Sequence, residues 1–209
     1  MKILLVDDHV IVRQGLKQIL ADEYPAARFC EAGTVSEALQ QVRKEPWDIM
    51  LLDLTLPGRG GLDALGEFKE AQPRLPILVL SMHPEADFAV RVLKAGASGY
   101  LTKQSAAEEL LGAIKKALAG GRYVTASLAE RLAADLAGHS AVNPHEDLSP
   151  REYQTLLLLA GGKSVKEIGA TIGISGKTVS TYRARILEKL RLKSNVELAR
   201  YAIQHRLIE

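Results

Sequence analysis

Residues 48–57 read DIMLLDLTLP: four apolar side chains in a row at 49–52, then Asp53, then the turn residues Leu56, Pro57 and Gly58. A run this short, apolar at every position and closed by a turn, reads as a strand buried on both faces with a carboxylate left at its tip. The same construction opens the chain, where ILLV at 3–6 runs into Asp7 and Asp8, and it returns where ILVL at 77–80 ends on Ser81. Weaker runs at 28–30 and 100–101 complete a set of five, the last leading to Lys103. Between them, residues 10–20, 35–42, 62–71, 86–95 and 106–118 carry helical periodicity. Apolar strands alternating with amphipathic helices predict an α/β doubly wound five-stranded parallel sheet of flavodoxin-like type, its connections right-handed.

Punctuation divides the rest. Gly120 and Gly121 stop the fifth helix, an alanine-rich segment over 123–138 is a further helix candidate, and the polar stretch 138–144 is a linker. Thr34 with Glu37 and Ser105 with Glu108 have the spacing of reciprocal capping boxes. Beyond the linker the β-branched runs vanish. Three of four expected helices, over 150–160, 165–172, 176–191 and 195–205, open on the same device: Ser149 with Glu152, Ser164 with Glu167, Ser194 with Glu197. Pro150 takes the first helical position, where its missing amide costs nothing. The expected domains are therefore 1–122, a partly helical linker at 123–146, and a small all-α domain at 147–209.

Composition narrows the function. The 209 residues are 47% hydrophobic and 25% charged, which is globular and excludes disordered, collagenous and disulfide-scaffold classes. Cys30 is the one cysteine and Asp7 and Asp8 interrupt the first apolar run, so a reduced, cytoplasmic protein is expected, with no signal peptide and no membrane span. The net charge of +2 hides an asymmetry: residues 147–209 hold 11 basic against 6 acidic side chains, a surplus of five. That surplus suggests an anionic partner, although a solvated basic face fits the charge equally well.

Ligands of open α/β sheets bind at the carboxyl ends of the strands, and here those ends carry Asp7, Asp8, Asp53, Ser81 and Lys103. Three carboxylates gathered in a poorly solvated cleft repel one another unless a hard cation or an ammonium group offsets them, which suits Mg²⁺ and Lys103. A carboxylate beside such a cation can attack phosphorus. Asp53 is the best-placed nucleophile, with Asp7 and Asp8 as metal holders. Any one strand-end Asp is more commonly a cap or loop residue; the set is not.

These residues, in Val6-Asp7-Asp8-His9, Leu52-Asp53-Leu54, Leu80-Ser81 and GASGYLTK at 96–103, resemble the receiver domains of two-component response regulators over about residues 1–120. The resemblance implies that Asp53 accepts a phosphoryl group from a histidine kinase. It also implies Mg²⁺ on Asp7, Asp8, Asp53 and the main-chain carbonyl of Thr55, Lys103 on the phosphate, and Ser81 with Tyr100 as a switch pair on adjacent strand ends. Many receivers place a proline in a cis peptide after the lysine; here the residue is Gln104.

In the basic domain, residues 164–172, a turn at Gly173, Ile174 and Ser175, and a helix from Gly176 have helix-turn-helix spacing. Val179, Ile186 and Leu190 set one face inward, leaving Lys177, Thr178, Ser180, Thr181, Tyr182, Ala184 and Arg185 as candidates for a major groove. Lys177, Arg183, Arg185 and Lys189 are candidates for phosphate neutralisation. LSPRE at 148–152, KEIG at 166–169, Ile174-Ser175, Thr178-Val179 and Lys189-Leu190 resemble the LuxR-type helix-turn-helix, so the whole chain resembles a NarL/FixJ-type response regulator. Ser180 and Tyr182 depart from the usual lysine and histidine there. The last helix of that domain commonly forms a dimer contact, which here would use Val196, Ala199 and Ile203; the other reading packs these three inward.

The expected function is a phosphorylation-controlled, dimerising, DNA-binding transcriptional regulator and not an enzyme. Two rivals are weighed: a receiver serving as an unphosphorylated interaction or dimerisation module, and a Mg-dependent phosphatase. Against the phosphatase, Asp53 lies on the third strand and is followed by Leu54 and Thr55, not by a second Asp two residues on.

Overall fold

A computed structural model of the chain describes residues 1–57, 61–82, 85–105, 107–136, 144–205 and 207–208. It separates into two compact units, Met1–Ala137 and Gly138–Glu209.

In the first unit, strands β1 (Lys2–Val6), β2 (Arg28–Ala32), β3 (Ile49–Asp53), β4 (Ile77–Ser81) and β5 (Gly99–Thr102) form one parallel sheet in the order β2-β1-β3-β4-β5. Helices α1 (Val10–Glu23), α2 (Val35–Lys44), α3 (Gly61–Ala71), α4 (Glu85–Lys94) and α5 (Ala107–Leu118) make the crossovers. β3 and β4 are buried at every position, which is why their sequences are continuously apolar instead of alternating. On one face Ile3, Leu5, Ile49, Leu51, Leu78, Leu80 and Leu101 pack with Leu110, Ala113 and Ile114 of α5. Fully burying each such leucine or isoleucine contributes about 1.5–3 kcal/mol. The register aligns Val6 with Leu52 and Asp53 with Leu80, so β1, β3 and β4 finish at one edge.

Helix α6 (Ala126–Leu136) belongs to this unit. The Tyr123 amide donates to the Ser98 carbonyl (2.7 Å), its hydroxyl to Glu109 (2.9 Å), and Leu128 is buried. α6 is the helix expected in the partly helical segment 123–146, and Tyr123 anchors the start of that segment to the sheet edge, a contact that spacing alone does not reveal. Residues 137–143, most of the expected polar linker, lie outside the described residues, as do Gly58 of the turn after Asp53 and Ala106, on which the expected Ser105 and Glu108 box depends.

The second unit has a 3-10 turn (Pro144–Asp147) and four helices: α7 (Pro150–Ala160), α8 (Val165–Ile172), α9 (Gly176–Lys189) and α10 (Asn195–Gln204). Ser149 with Glu152 and Ser164 with Glu167 form complete capping boxes. The other two expected boxes are corrected. Thr34 and Ser194 accept from the amides of Glu37 and Glu197, but the carboxylates return to Gly33 and Lys193, one residue early. The reason is backbone: φ is −61° and −70° at Ser149 and Ser164 but −139° and −151° at Thr34 and Ser194, which turns the cap residue's own amide away. α9 also ends two residues sooner than expected. Arg191 adopts φ 56° and the Leu192 amide returns to the Leu187 carbonyl, a left-handed stop without the usual glycine.

Candidate functional site

The carboxyl edge of the sheet gathers the acidic set. Asp7 and Asp53 are buried (2% each) and Asp8 lies further out, with a third of its side chain exposed. The Lys103 ammonium stands 2.6 Å from Asp7 Oδ2 and 2.9 Å from Asp53 Oδ2. Asp53 Oδ1 accepts the Thr55 amide at 3.1 Å. Burial acts first on the Asp53 carboxyl and holds it above the ordinary carboxylate range; the Thr55 amide and Lys103 oppose this and Asp7 adds to it. On Lys103 burial pulls the other way, but the hydrogen bonds and charges of Asp7 and Asp53 keep the ammonium above its ordinary value. Lys103 therefore stays charged and divides its charge between two carboxylates.

The loops hold this geometry by backbone contacts. The Lys103 amide donates to the Ser81 carbonyl (2.8 Å) and the Gly61 amide to the Leu54 carbonyl (3.1 Å). Gly61 lies so close to the Asp53 carbonyl that a Cβ there would overlap it, so the entry of α3 requires glycine. Among the described residues no peptide bond is cis, including the one preceding Gln104. His9 adds a group that the strand-end rule passes over, because it begins the loop beyond the acidic pair. Its Nδ1 lies 2.8 Å from Asp8 Oδ1 and 3.1 Å from Asp7 Oδ1. One ligand atom from each of Asp7, Asp8, His9 and Asp53 lies within 4.8 Å of the others, a cluster that could hold a metal ion. Arg13, also missed, donates to the Asp7 carbonyl.

Ser81 and Tyr100 are both buried, at 0% and 1%. The expectation that they sit on adjacent strand ends is corrected by the register: Tyr100 pairs with Val79 and Ser81 with Thr102. Tyr100 thus lies two positions below the strand end, on the sheet face that Ser81 shares by alternation.

In the second unit α8 stops at Gly173 (φ 69°), the Ile174 amide returns to the Gly169 carbonyl (3.0 Å), and Ser175 caps α9 through the Thr178 amide (3.1 Å). A side chain at Gly169 would meet the Ile174 carbonyl at 2.7 Å, so this glycine lets the turn close on α8. Val179 and Ile186 are fully buried and Leu190 nearly so, while Lys177, Ser180, Thr181, Ala184, Arg185 and Lys189 are exposed and Thr178, Tyr182 and Arg183 half-buried. Two of the basic candidates already have partners: Arg183 Nε donates to Asn195 Oδ1 (2.6 Å), and the Lys189 ammonium lies 2.7 Å from Oε2 of buried Glu152. On α10, Leu198 and Ala202 face the core whereas Val196 (79%) and Ile203 (58%) are exposed and Ala199 is half-buried, which rules out the inward reading for the outer two.

Residues 3–115 match the response regulator receiver domain family, and residues 146–202 match the bacterial regulatory proteins of the luxR family. The chain is a response regulator of the NarL/FixJ type. It is 37% identical over 209 residues to the response regulator GacA of Pseudomonas aeruginosa, covering 100% of this chain and 98% of that one. With the response regulator UvrY of Escherichia coli it shares 35% over 206 residues, 98% of this chain and 94% of the relative. A structure of RcsB from Salmonella enterica serovar Typhimurium, bound to promoter rprA in the presence of the phosphomimetic BeF3−, aligns over 96% of this chain and 98% of that one, at 26% identity and TM-score 0.63. The regulator joins a receiver to a LuxR-type domain and is a phosphorylation-controlled transcription regulator. Its family is one of DNA-binding response regulators, generally not multiple-turnover enzymes. Among the described residues no helix is long and apolar enough to cross a membrane.

Proposed function

We propose that the regulator takes one phosphoryl group on Asp53 from a histidine kinase and thereby changes how residues 147–209 engage double-stranded DNA. The observation that carries this is Lys103 spanning Asp7 and Asp53 at one sheet edge. Asp53 Oδ1 is held by the Thr55 amide while Oδ2 faces the ammonium, so the carboxylate is fixed in orientation before a donor arrives. An oxygen of Asp53 forms the new bond to phosphorus as the donor's bond to phosphorus breaks, and Lys103 is positioned to offset the negative charge on the transferred oxygens. Asp7, Asp8, Asp53 and the carbonyl of Thr55 are the ligands assigned to Mg²⁺, for which hard oxygen donors are suited; when bound, the ion offsets charge on the phosphoryl oxygens. Ser81 and Tyr100, both buried beside this edge, are assigned to transmit the new charge.

For the output, α9 is assigned to the major groove and the exposed side of α10, with Val196, Ala199 and Ile203, to a homodimer contact. The protein is read as cytoplasmic. Treatment with a small phosphodonor and Mg²⁺ should raise the intact mass by one phosphoryl group. Asp53→Asn should abolish that rise, and stoichiometric labelling of the variant would overturn the assignment.

A further inference from the structure

Apart from Lys189, held by Glu152, the exposed side chains of α9 are Lys177, Ser180, Thr181, Ala184, Arg185 and Glu188. They recur at three- and four-residue steps and make one continuous stripe. Its centre is chemically restricted. Ser180 Oγ donates its only proton to the Gly176 carbonyl (2.9 Å), and Thr181 Oγ1 donates its own to the Lys177 carbonyl (3.1 Å). Each hydroxyl then presents lone pairs outward and no donor. Thr181 and Ala184 add methyl groups. The remaining donors on the stripe are Lys177 and Arg185, eight residues apart, about 12 Å along the helix axis. At about 3.4 Å per base, that spacing covers three to four base-pair steps.

Guanine shows two acceptors, N7 and O6, in the major groove and is read by a donor; the middle of this stripe has none to give. An amino group, from adenine N6 or cytosine N4, can donate to Ser180 or Thr181, which by itself does not separate the two bases. The thymine methyl does, since it meets the methyl groups of Thr181 and Ala184 and a G·C pair has no counterpart. We propose that α9 reads a half-site with an A·T core through methyl contacts at Thr181 and Ala184 and amino acceptance at Ser180, with guanine confined to the positions facing Lys177 and Arg185. This rests on α9 being the major-groove helix. It also gives the departure from lysine at Ser180 a consequence, because a lysine there would supply the missing central donor.

The test uses the full chain, treated with phosphodonor and Mg²⁺, to select duplexes from a random pool. Deoxyuridine then replaces thymidine at each core position in turn, removing only the methyl. The expected result is an A·T core in which at least one replacement weakens binding about threefold to tenfold. That penalty should shrink towards nothing in Thr181→Ser, which removes only the methyl at an exposed position and spares the core. A selected G·C core, or deoxyuridine neutral at every position while salt-sensitive duplex binding persists, overturns the readout alone. Loss of salt-sensitive binding to any duplex overturns the DNA-binding reading beneath it.

Discussion

Replacing Lys189 by alanine tests whether the ammonium holds the domain together or holds DNA. Its partner Glu152 is 2% exposed and is shared: Oε2 accepts the Ser149 amide at 2.7 Å, closing the cap of α7, and lies 2.7 Å from Lys189 Nζ, tying α9 to that cap. Breaking a fully buried pair costs about 3–5 kcal/mol, whereas an exposed pair contributes under about 1 kcal/mol. Here the carboxylate is inside and the lysine side chain is 41% exposed, so water screens part of the loss and about 2 kcal/mol is expected. In a unit the size of Gly138–Glu209, each kcal/mol lowers Tm by about 4–8 °C, so Lys189→Ala should melt about 8–16 °C early. Circular dichroism of a fragment spanning 138–209 measures this. Adding Glu152→Gln should return much of the loss, because the stranded charge is then removed. An unchanged Tm together with a salt slope of DNA binding smaller by about 1 would refute the reasoning and put Lys189 on a phosphate.

Other outcomes follow from the same geometry. Burial raises the Asp53 carboxyl, so the folded state keeps its proton to higher pH than the unfolded chain, and ionised Asp53 costs stability above its folded pKa; this cost disappears below the unfolded value. Asp53→Asn in chelator should therefore raise Tm at neutral pH, with the gain shrinking as pH falls through the carboxylate range, and a pH-independent difference would count against it. Gly61→Ala should force the backbone off the Asp53 carbonyl and slow phosphorylation by small donors on the order of tenfold to a hundredfold, read from the rate of mass increase. Tyr201→Phe removes the hydroxyl 3.0 Å from Nδ1 of buried His145 and should cost the 138–209 fragment about 1 kcal/mol in urea unfolding. Arg185→Ala, at an exposed position of α9, should relax the preference for guanine opposite it by about 1–3 kcal/mol in competition binding, without changing fragment stability.

Much of the site was legible because its chemistry lies at strand tips. The runs at 3–6, 49–52 and 77–80 fix which residues end β1, β3 and β4, and parallel pairing brings those ends together without further information. His9 and Arg13 were not legible. Their roles depend on a side chain folding back over Asp7, which no spacing rule encodes. Tyr100 was placed at a strand end because the sequence marks a strand without its register; the pairing with Val79 sets it two positions deeper.

What the sequence determined by itself is therefore local or periodic. It carried the alternation of strands and helices, the hydroxyls at the heads of α2, α7, α8 and α10, the glycine that stops α8, and the buried row Val179, Ile186 and Leu190 on α9. Each follows from φ/ψ preference or from a repeat of two or 3.6 residues, which needs only near neighbours. Tertiary structure decided which side chains meet across the chain. Lys103 reaches both Asp7 and Asp53, Lys189 is committed to Glu152, Tyr123 anchors the start of the expected linker, and Arg191 ends α9 in a left-handed turn without a glycine. These contacts join residues distant in sequence or override local preference, and a long flexible lysine has many surface partners until packing brings the buried Glu152 carboxylate within its reach.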